Sequence, residues 1–322
     1  MTNVLTELRA KAPLVHCITN YVAMNIAANT LLAAGASPAM IHTAEETGDF
    51  ARIVGALTVN IGTISPPWLD GMRRAVDAAN AAGVPWVLDP VAHFATPYRS
   101  AAAQELMQMK PTILRGNASE IIGLGGGQSE AKGVDAKDPV AAAEEVGIRI
   151  AKESGSVVAI TSDVDFVTDG TRVARIGGGS PMMPLVTAMG CSLTCLIGAF
   201  AAVAPPMEAT VSALTLFAEA GDRAARTANG PGSFTPQLPP QGIHDRRRLR
   251  RAVQGLRADD APIRGVLIGS LLRATTIITD LQEAAGDRRG LRHGRRQRHG
   301  RGDGAPPVQD VRLRPRLRRM FF

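Results

Sequence analysis

"LVTAMGCSLTCLIGAFAAVA", from Leu185 to Ala204, decides how the rest of this 322-residue chain is read. A turn of small residues ends in Gly190-Cys191, and an apolar run at helical spacing follows, which puts a cysteine on the first turn of a buried helix. The first turn of a helix leaves backbone N–H groups without acceptors, with the positive end of the helix dipole behind them. Such a turn is an anion site, and phosphate is the usual anion. The same field favours a thiolate, so the sequence predicts a Cys191 thiol with a lowered pKa. Cys195, one turn further on among Leu and Ile, reads as a small buried hydrophobe.

Working outward, short β-rich runs alternate with Ala-rich helical segments as far as about Phe234. The runs are Ala36 to Ile41, Ala56 to Thr63, Val84 to Val91, Thr112 to Asn117, Ser156 to Thr161 and Val164 to Gly170. Between them, "YVAMNIAANTLLAAG" and "LDGMRRAVDAANAAG" have helical spacing and close on Gly35 and Gly83. Strand-helix-strand repetition implies an α/β fold with a mostly parallel central sheet and helices on both faces. Ligands bind such sheets at the carboxyl ends of the strands. Asp89 closes one run and Pro90 stops it, so Asp89 stands at that edge and points outward. "RGNASE" closes another and offers Arg115, Asn117 and Glu120. Asp89 and Glu120 suit water-mediated Mg²⁺ binding, because Mg²⁺ keeps much of its hydration shell. Asn117 with Glu120 three residues on also fits a helix capping box, and the two roles are compatible.

Composition narrows the class. With 45% hydrophobic and 20% charged residues the chain is an ordinary globular protein, and at 4% aromatic its core must be aliphatic. Three cysteines (Cys17, Cys191, Cys195) give no paired framework and no Cys-x-x-Cys metal spacing. The N-terminus lacks the pattern of a signal peptide, and no apolar run reaches the length of a membrane span. A cytoplasmic protein without membrane contact is expected. The net charge of +7 is unevenly spread: from His244 onward there are 20 arginines, no lysine and 8 acidic residues. Of the chain's 36 basic and 29 acidic residues, that leaves 16 and 21 in the preceding part, which is mildly acidic. Two domains are expected, a folded one over 1–236 and an Arg-rich extension over 237–322. Arg, Gly, Pro and His without Lys is the composition of GC-rich DNA read out of frame. An extension largely disordered or out of frame is therefore expected, and nucleic acid is an unlikely partner.

Taken in order along the chain, "PLVHCITNYVAMNIAANTLLAAGASPAM", "NIGT", "DPVAHFATPYR", "RGNASEI", "AITSDVDFVTDG", "VTAMGCSLT" and "GPGSF" resemble the hydroxyethylthiazole kinase family. The resemblance runs from Pro13 to about Pro236. It implies a ribokinase-like fold and ATP-dependent, Mg²⁺-assisted phosphorylation of the side-chain hydroxyl of 4-methyl-5-(2-hydroxyethyl)thiazole, in thiamine salvage. It also implies a homotrimer with sites at the subunit interfaces. The family's catalytic cysteine falls on Cys191 and its nucleotide contacts on Arg115 and Thr161. Its thiazole contacts fall on Met40 and Ala188, with Asn20 bordering the pocket, and Asp89 and Glu120 lie near Mg²⁺. Other readings stay open at this point: a ribokinase-like kinase or dehydratase with another substrate, or a catalytically weak scaffold with a nucleic-acid-binding tail.

Within the stretch that carries the resemblance this chain departs from the family pattern in two places, and after "GPGSF" the family's further helix is replaced or altered. Ala188 stands where the family has glycine, and its methyl matters if the backbone there needs a positive φ or if the substrate packs on it. Ala92-His93-Phe94 replace small, glycine-containing residues, and His93 reads as a solvent-facing loop residue.

Overall fold

In the central strands, alternate residues face opposite ways, and both ways lead to a layer of helices. Val87 and Ile113 join one apolar cluster while their neighbours Leu88 and Leu114 join the other. Only a strand covered on both faces has a use for such an unbroken apolar run. The computed structural model describes residues 2–126 and 139–234, so the Arg-rich extension lies outside the described residues.

The strands are β1 (Leu14–Ile18), β2 (Ser37–Ala39), β3 (Ala56–Asn60), β4 (Trp86–Asp89), β5 (Ile113–Asn117), β6 (Val157–Thr161), β7 (Val164–Thr168) and β8 (Val173–Gly177). The helices are α1 (Thr2–Lys11), α2 (Met24–Ala34), α3 (Thr47–Ala51), α4 (Pro66–Ala82), α5 (Pro97–Gln108), α6 (Ala118–Leu124), α7 (Pro139–Ser154), α8 (Met189–Ala201), α9 (Pro206–Ala225) and the single turn α10 (Pro231–Phe234). One sheet runs in the order β2-β1-β3-β4-β5-β6-β7-β8. All pairs from β2 to β6 are parallel, and β7 and β8 add an antiparallel hairpin. Residues of α1, α2, α8 and α9 fill one face, and residues of α3, α4, α5, α6 and α7 fill the other. The α/β expectation holds, including helix stops at Gly35 and Gly83, both in the left-handed region.

Two strands were not legible as such. In β1, "LVHCI", His16 and Cys17 interrupt the apolar run, although the strand is buried. In β8, "VARIG", Ala174 and Ile176 are buried in one core cluster and Val173 packs half-buried on the other, while Arg175 interrupts the apolar pattern, pairs with Glu144 and lies over the Phe166 ring. The chain leaves β1 for β2 on one side and returns to β3 on the other. This makes the carboxyl ends of β1 and β3 the switch point where an open α/β sheet forms its crevice.

Helix α8 anchors that end of the sheet. It is buried continuously from Ser192 to Ala201 and packs against β1, β3 and β4. Burying each of its large side chains (Leu193, Leu196, Ile197 and Phe200) is worth about 1.5–3 kcal/mol. It stops before Pro205-Pro206, and α9 begins with the second proline at its first position. The helix is thus fixed by packing along its length, with its N-terminal turn at the carboxyl edge of the strands.

Candidate active site

The parallel register lines up four strand ends. Asn60 pairs with Asp89 across β3 and β4, and Asn117 pairs with Thr161 across β5 and β6. The Asn60 side chain accepts from the Gly62 backbone N–H at 2.9 Å, which fixes its amide so that Nδ2 donates to Asp89 Oδ2 at 2.8 Å. Asn20, two residues past β1, accepts from the Ala23 N–H at 3.1 Å. Its Nδ2 therefore faces the other way, donating to Asn60 Oδ1 at 2.9 Å and to Cys191 Sγ at 3.2 Å. A continuous run of hydrogen bonds links Cys191, Asn20, Asn60 and Asp89: Asn20 donates to both Cys191 and Asn60, and Asn60 donates on to Asp89. Asn60, inside the quoted "NIGT", was not singled out from sequence. One asparagine at a strand end looks like a turn residue until a second strand supplies its partners.

Asp89 is fully buried rather than pointing outward. Its Oδ2 also accepts from Thr194 Oγ1 at 2.8 Å, which ties β4 to α8, and it is paired with Arg115 Nη1 at 3.5 Å. Burial pushes the Asp89 carboxyl up to about 6, opposed by the charge of Arg115 and reinforced by that of Glu120. Arg115 is buried as well and donates from Nη2 to Thr161 Oγ1 at 2.7 Å. A guanidinium taken out of water is costly unless it is well partnered. Gly190 makes room for it: a Cβ there would lie 2.5 Å from Nη1 and 2.6 Å from Nη2. Gly62 does the same for Asn20, whose amide would meet a Cβ at 2.6 Å.

Glu120 completes the capping box expected of it: Asn117 Oδ1 accepts from the Glu120 N–H at 2.9 Å, and Glu120 Oε2 accepts from the Asn117 N–H at 2.8 Å. Its Oε1 accepts from the Ala92 N–H at 3.0 Å. His93 corrects the sequence reading. It is buried rather than solvent-facing, with Nε2 2.9 Å from the Glu120 carbonyl oxygen. Met40 follows β2 beside the crevice and packs, half-buried, on the core. Ala188 caps α8 with φ 63° and ψ 12°, so the position does require the left-handed backbone.

The expectation for the Cys191 thiol is overturned. Its pKa is pushed up to about 11, chiefly by burial and by the charge of Asp89, against the hydrogen bond from Asn20 and the charge of Arg115. The helix terminus acts locally, but loss of water and a buried carboxylate outweigh it. Cys191 is therefore a thiol at neutral pH. Cys195 is buried as expected, 3.5 Å from Thr58 Oγ1, and its interaction with Cys17 together with burial holds its pKa well above the usual thiol range.

The residues present suit Mg²⁺. Asp89 Oδ1 is buried with no hydrogen-bond partner, beside a second carboxylate close enough to perturb it. Among the described residues no group of three or more His, Cys, Asp or Glu comes together as a metal cage. Mg²⁺ asks for none, since it takes one or two carboxylates and completes its shell with waters and phosphate oxygens.

The first turn of α8, the buried Arg115 guanidinium and the Asp89 carboxylate with its unpartnered Oδ1 lie together at the sheet switch point, and their chemistry suits a phosphorylated ligand. Comparison with solved structures places the fold in the ribokinase-like class: a ribokinase-like superfamily protein of Enterococcus faecalis superposes with a TM-score of 0.55 over 74% of this chain and 93% of its own, at 14% identity. A hydroxyethylthiazole kinase protein of Pyrococcus horikoshii OT3 superposes with a TM-score of 0.66 at 39% identity, over 74% of this chain and 90% of its own. Among curated sequences, a hydroxyethylthiazole kinase of Gemmatimonas aurantiaca is 67% identical over 230 residues, which is 71% of this chain and 83% of that protein. One of Rhizobium rhizogenes is 61% identical over 235 residues, or 72% and 88%. The profile of the hydroxyethylthiazole kinase family matches residues 5–240, and the chain belongs to that family.

Proposed function

We propose that this chain transfers the γ-phosphoryl group of ATP to the side-chain hydroxyl of 4-methyl-5-(2-hydroxyethyl)thiazole, giving the phosphate that thiamine synthesis consumes. The observation that carries the reading is the bond from Asn20 Nδ2 to Cys191 Sγ, which sets the sulfur beside the first-turn amides of α8, with Arg115 against Gly190. Phosphoryl transfer depends on positioning and on charge stabilisation around the moving group more than on a strong base. Arg115 and Thr161 would take the nucleotide phosphates, and the amides of Gly190 and Cys191 the transferred group. Since Asn20 already donates to Sγ, the S–H of Cys191 is left to point at the reacting oxygens as a donor. Met40, Ala188 and Asn20 would line the thiazole side of the crevice.

Asp89 and Glu120 would hold Mg²⁺ largely through water, and the ion supplies positive charge against the phosphates. By the same resemblance the chain assembles as a homotrimer, which exposed Tyr21 and Val22, next to Asn20, suit as contact residues. A cytoplasmic location agrees with the described helices, none of which is long and apolar enough to cross a membrane.

The test supplies MgATP and the thiazole alcohol and follows ADP release. Cys191→Ala should lower kcat by about 10²–10³ while the protein stays folded, as loss of a well-aimed donor does. Folded wild-type protein that releases no ADP above background would reject the reading.

A further inference from the structure

Arg99 lies in the quoted "DPVAHFATPYR" and has no part in the reaction as drawn. It occupies the third position of α5, where the Thr96 hydroxyl caps its backbone N–H at 3.3 Å and no acidic residue sits in the first turn. A cation at a helix N-terminus opposes the dipole. Among the described residues no carboxylate pairs with it. Its guanidinium donates instead to three backbone carbonyls: to Gly62 O from Nη1 and Nη2 at 3.1 Å each, to Val91 O from Nη2 at 2.8 Å and to Ala92 O from Nε at 3.2 Å. A side chain that breaks the local charge rule and gains only main-chain partners is placed for what those partners hold.

What they hold is the two sides of the site. Gly62 lies against the Asn20 amide and donates to Asn60, so it supports the chain of bonds that ends at Cys191. Ala92 sits at φ 47°, a conformation a non-glycine residue keeps only when its surroundings impose it. Arg99 grips its carbonyl, and its N–H donates to Glu120. We propose that Arg99 is a positioning residue that couples the thiol side of the site to the carboxylate side by clamping the loops after β3 and β4. A planar fork can serve three carbonyls at once, and a lysine ammonium cannot take that geometry.

This inference rests on the kinase reading, and the experiment separates the two. Full-length Arg99→Ala and Arg99→Lys are compared with wild type. In both variants kcat should fall about 10–100-fold, on the scale of a misplacement near 1 Å, with the Mg²⁺ needed for half-maximal rate raised several-fold and KM for ATP changed less than about threefold. Guanidinium ion at millimolar concentration should restore part of the rate to Arg99→Ala and none to Arg99→Lys, whose side chain fills the slot. Independently of turnover, the rate of Cys191 alkylation by iodoacetamide, followed by peptide mass, should change several-fold in Arg99→Ala and return towards wild type with guanidinium. Folded variants with wild-type alkylation overturn the proposal, and so does full restoration by lysine. Should wild type prove inactive on the thiazole alcohol, the functional reading falls while the alkylation comparison still decides the role of Arg99.

Discussion

Replacing Gly190 by alanine separates the helix from the chemistry it serves. Within a helix, alanine is favoured over glycine by about 1 kcal/mol, so Gly190→Ala by itself strengthens the first turn of α8. The new Cβ, however, would lie 2.5, 2.6 and 2.8 Å from Nη1, Nη2 and Cζ of Arg115, where ordinary contacts begin near 3.4 Å. The guanidinium is the flexible partner and must retreat by about 1 Å, which breaks its 2.7 Å bond to Thr161 and loosens its pairing with Asp89. A displacement of that size at a charge-stabilising group costs about 10²-fold in kcat/KM, close to 3 kcal/mol of transition-state stabilisation. Coupled-assay kinetics with MgATP and the thiazole alcohol, run beside urea unfolding, should show that loss with stability within about 1 kcal/mol of wild type. Since the effect runs through Arg115, adding Gly190→Ala to an Arg115→Ala background should cost less than threefold further. The reasoning is refuted if Gly190→Ala keeps kcat/KM within threefold of wild type, or if the two losses multiply.

Ala188→Gly relieves a left-handed alanine worth about 1–2 kcal/mol and adds unfolded-state freedom worth up to about 1 kcal/mol, so a net stability gain between zero and about 2 kcal/mol is expected in urea melts. A loss beyond 1 kcal/mol would contradict the strain argument. Removing the hub at Asn60 by alanine leaves the Gly62 N–H, the Asn20 amide and Asp89 Oδ2 each short of a partner, for a loss on the order of 3 kcal/mol, readable in the same melts. His16 is buried with its pKa lowered to about 4, chiefly by desolvation. The unfolded chain binds that proton more readily, so stability is fully present above about pH 6.5 and falls as the pH drops towards 4, by about 2 kcal/mol at pH 5. His16→Gln should flatten that part of the profile. An unchanged slope would place the acid sensitivity elsewhere.

Local signals were legible wherever a residue's neighbours in sequence are also its partners. The Asn117–Glu120 capping box, the glycine stops at Gly35 and Gly83 and the cysteine on the first turn of α8 all work within four residues, and all are present. So is the alternation that calls for a parallel sheet with two helix layers, because a buried strand must be apolar on both faces. Strand β1 is not legible locally because its His16 finds its partner in the Ile41 carbonyl, 25 residues away.

What the fold alone decided is electrostatic and many-bodied. Sequence placed Cys191 in the field of a helix end, but whether its sulfur is charged depends on how much water the sheet excludes and on where Asp89 comes to rest. The roles of Asn60 and Arg99 arise only when separate loops converge on one sheet edge, since an amide or a guanidinium has no assigned function until its acceptors are in place. Short-range propensity is written in the order of residues; desolvation and hydrogen-bond direction depend on contacts between segments that the chain order leaves far apart.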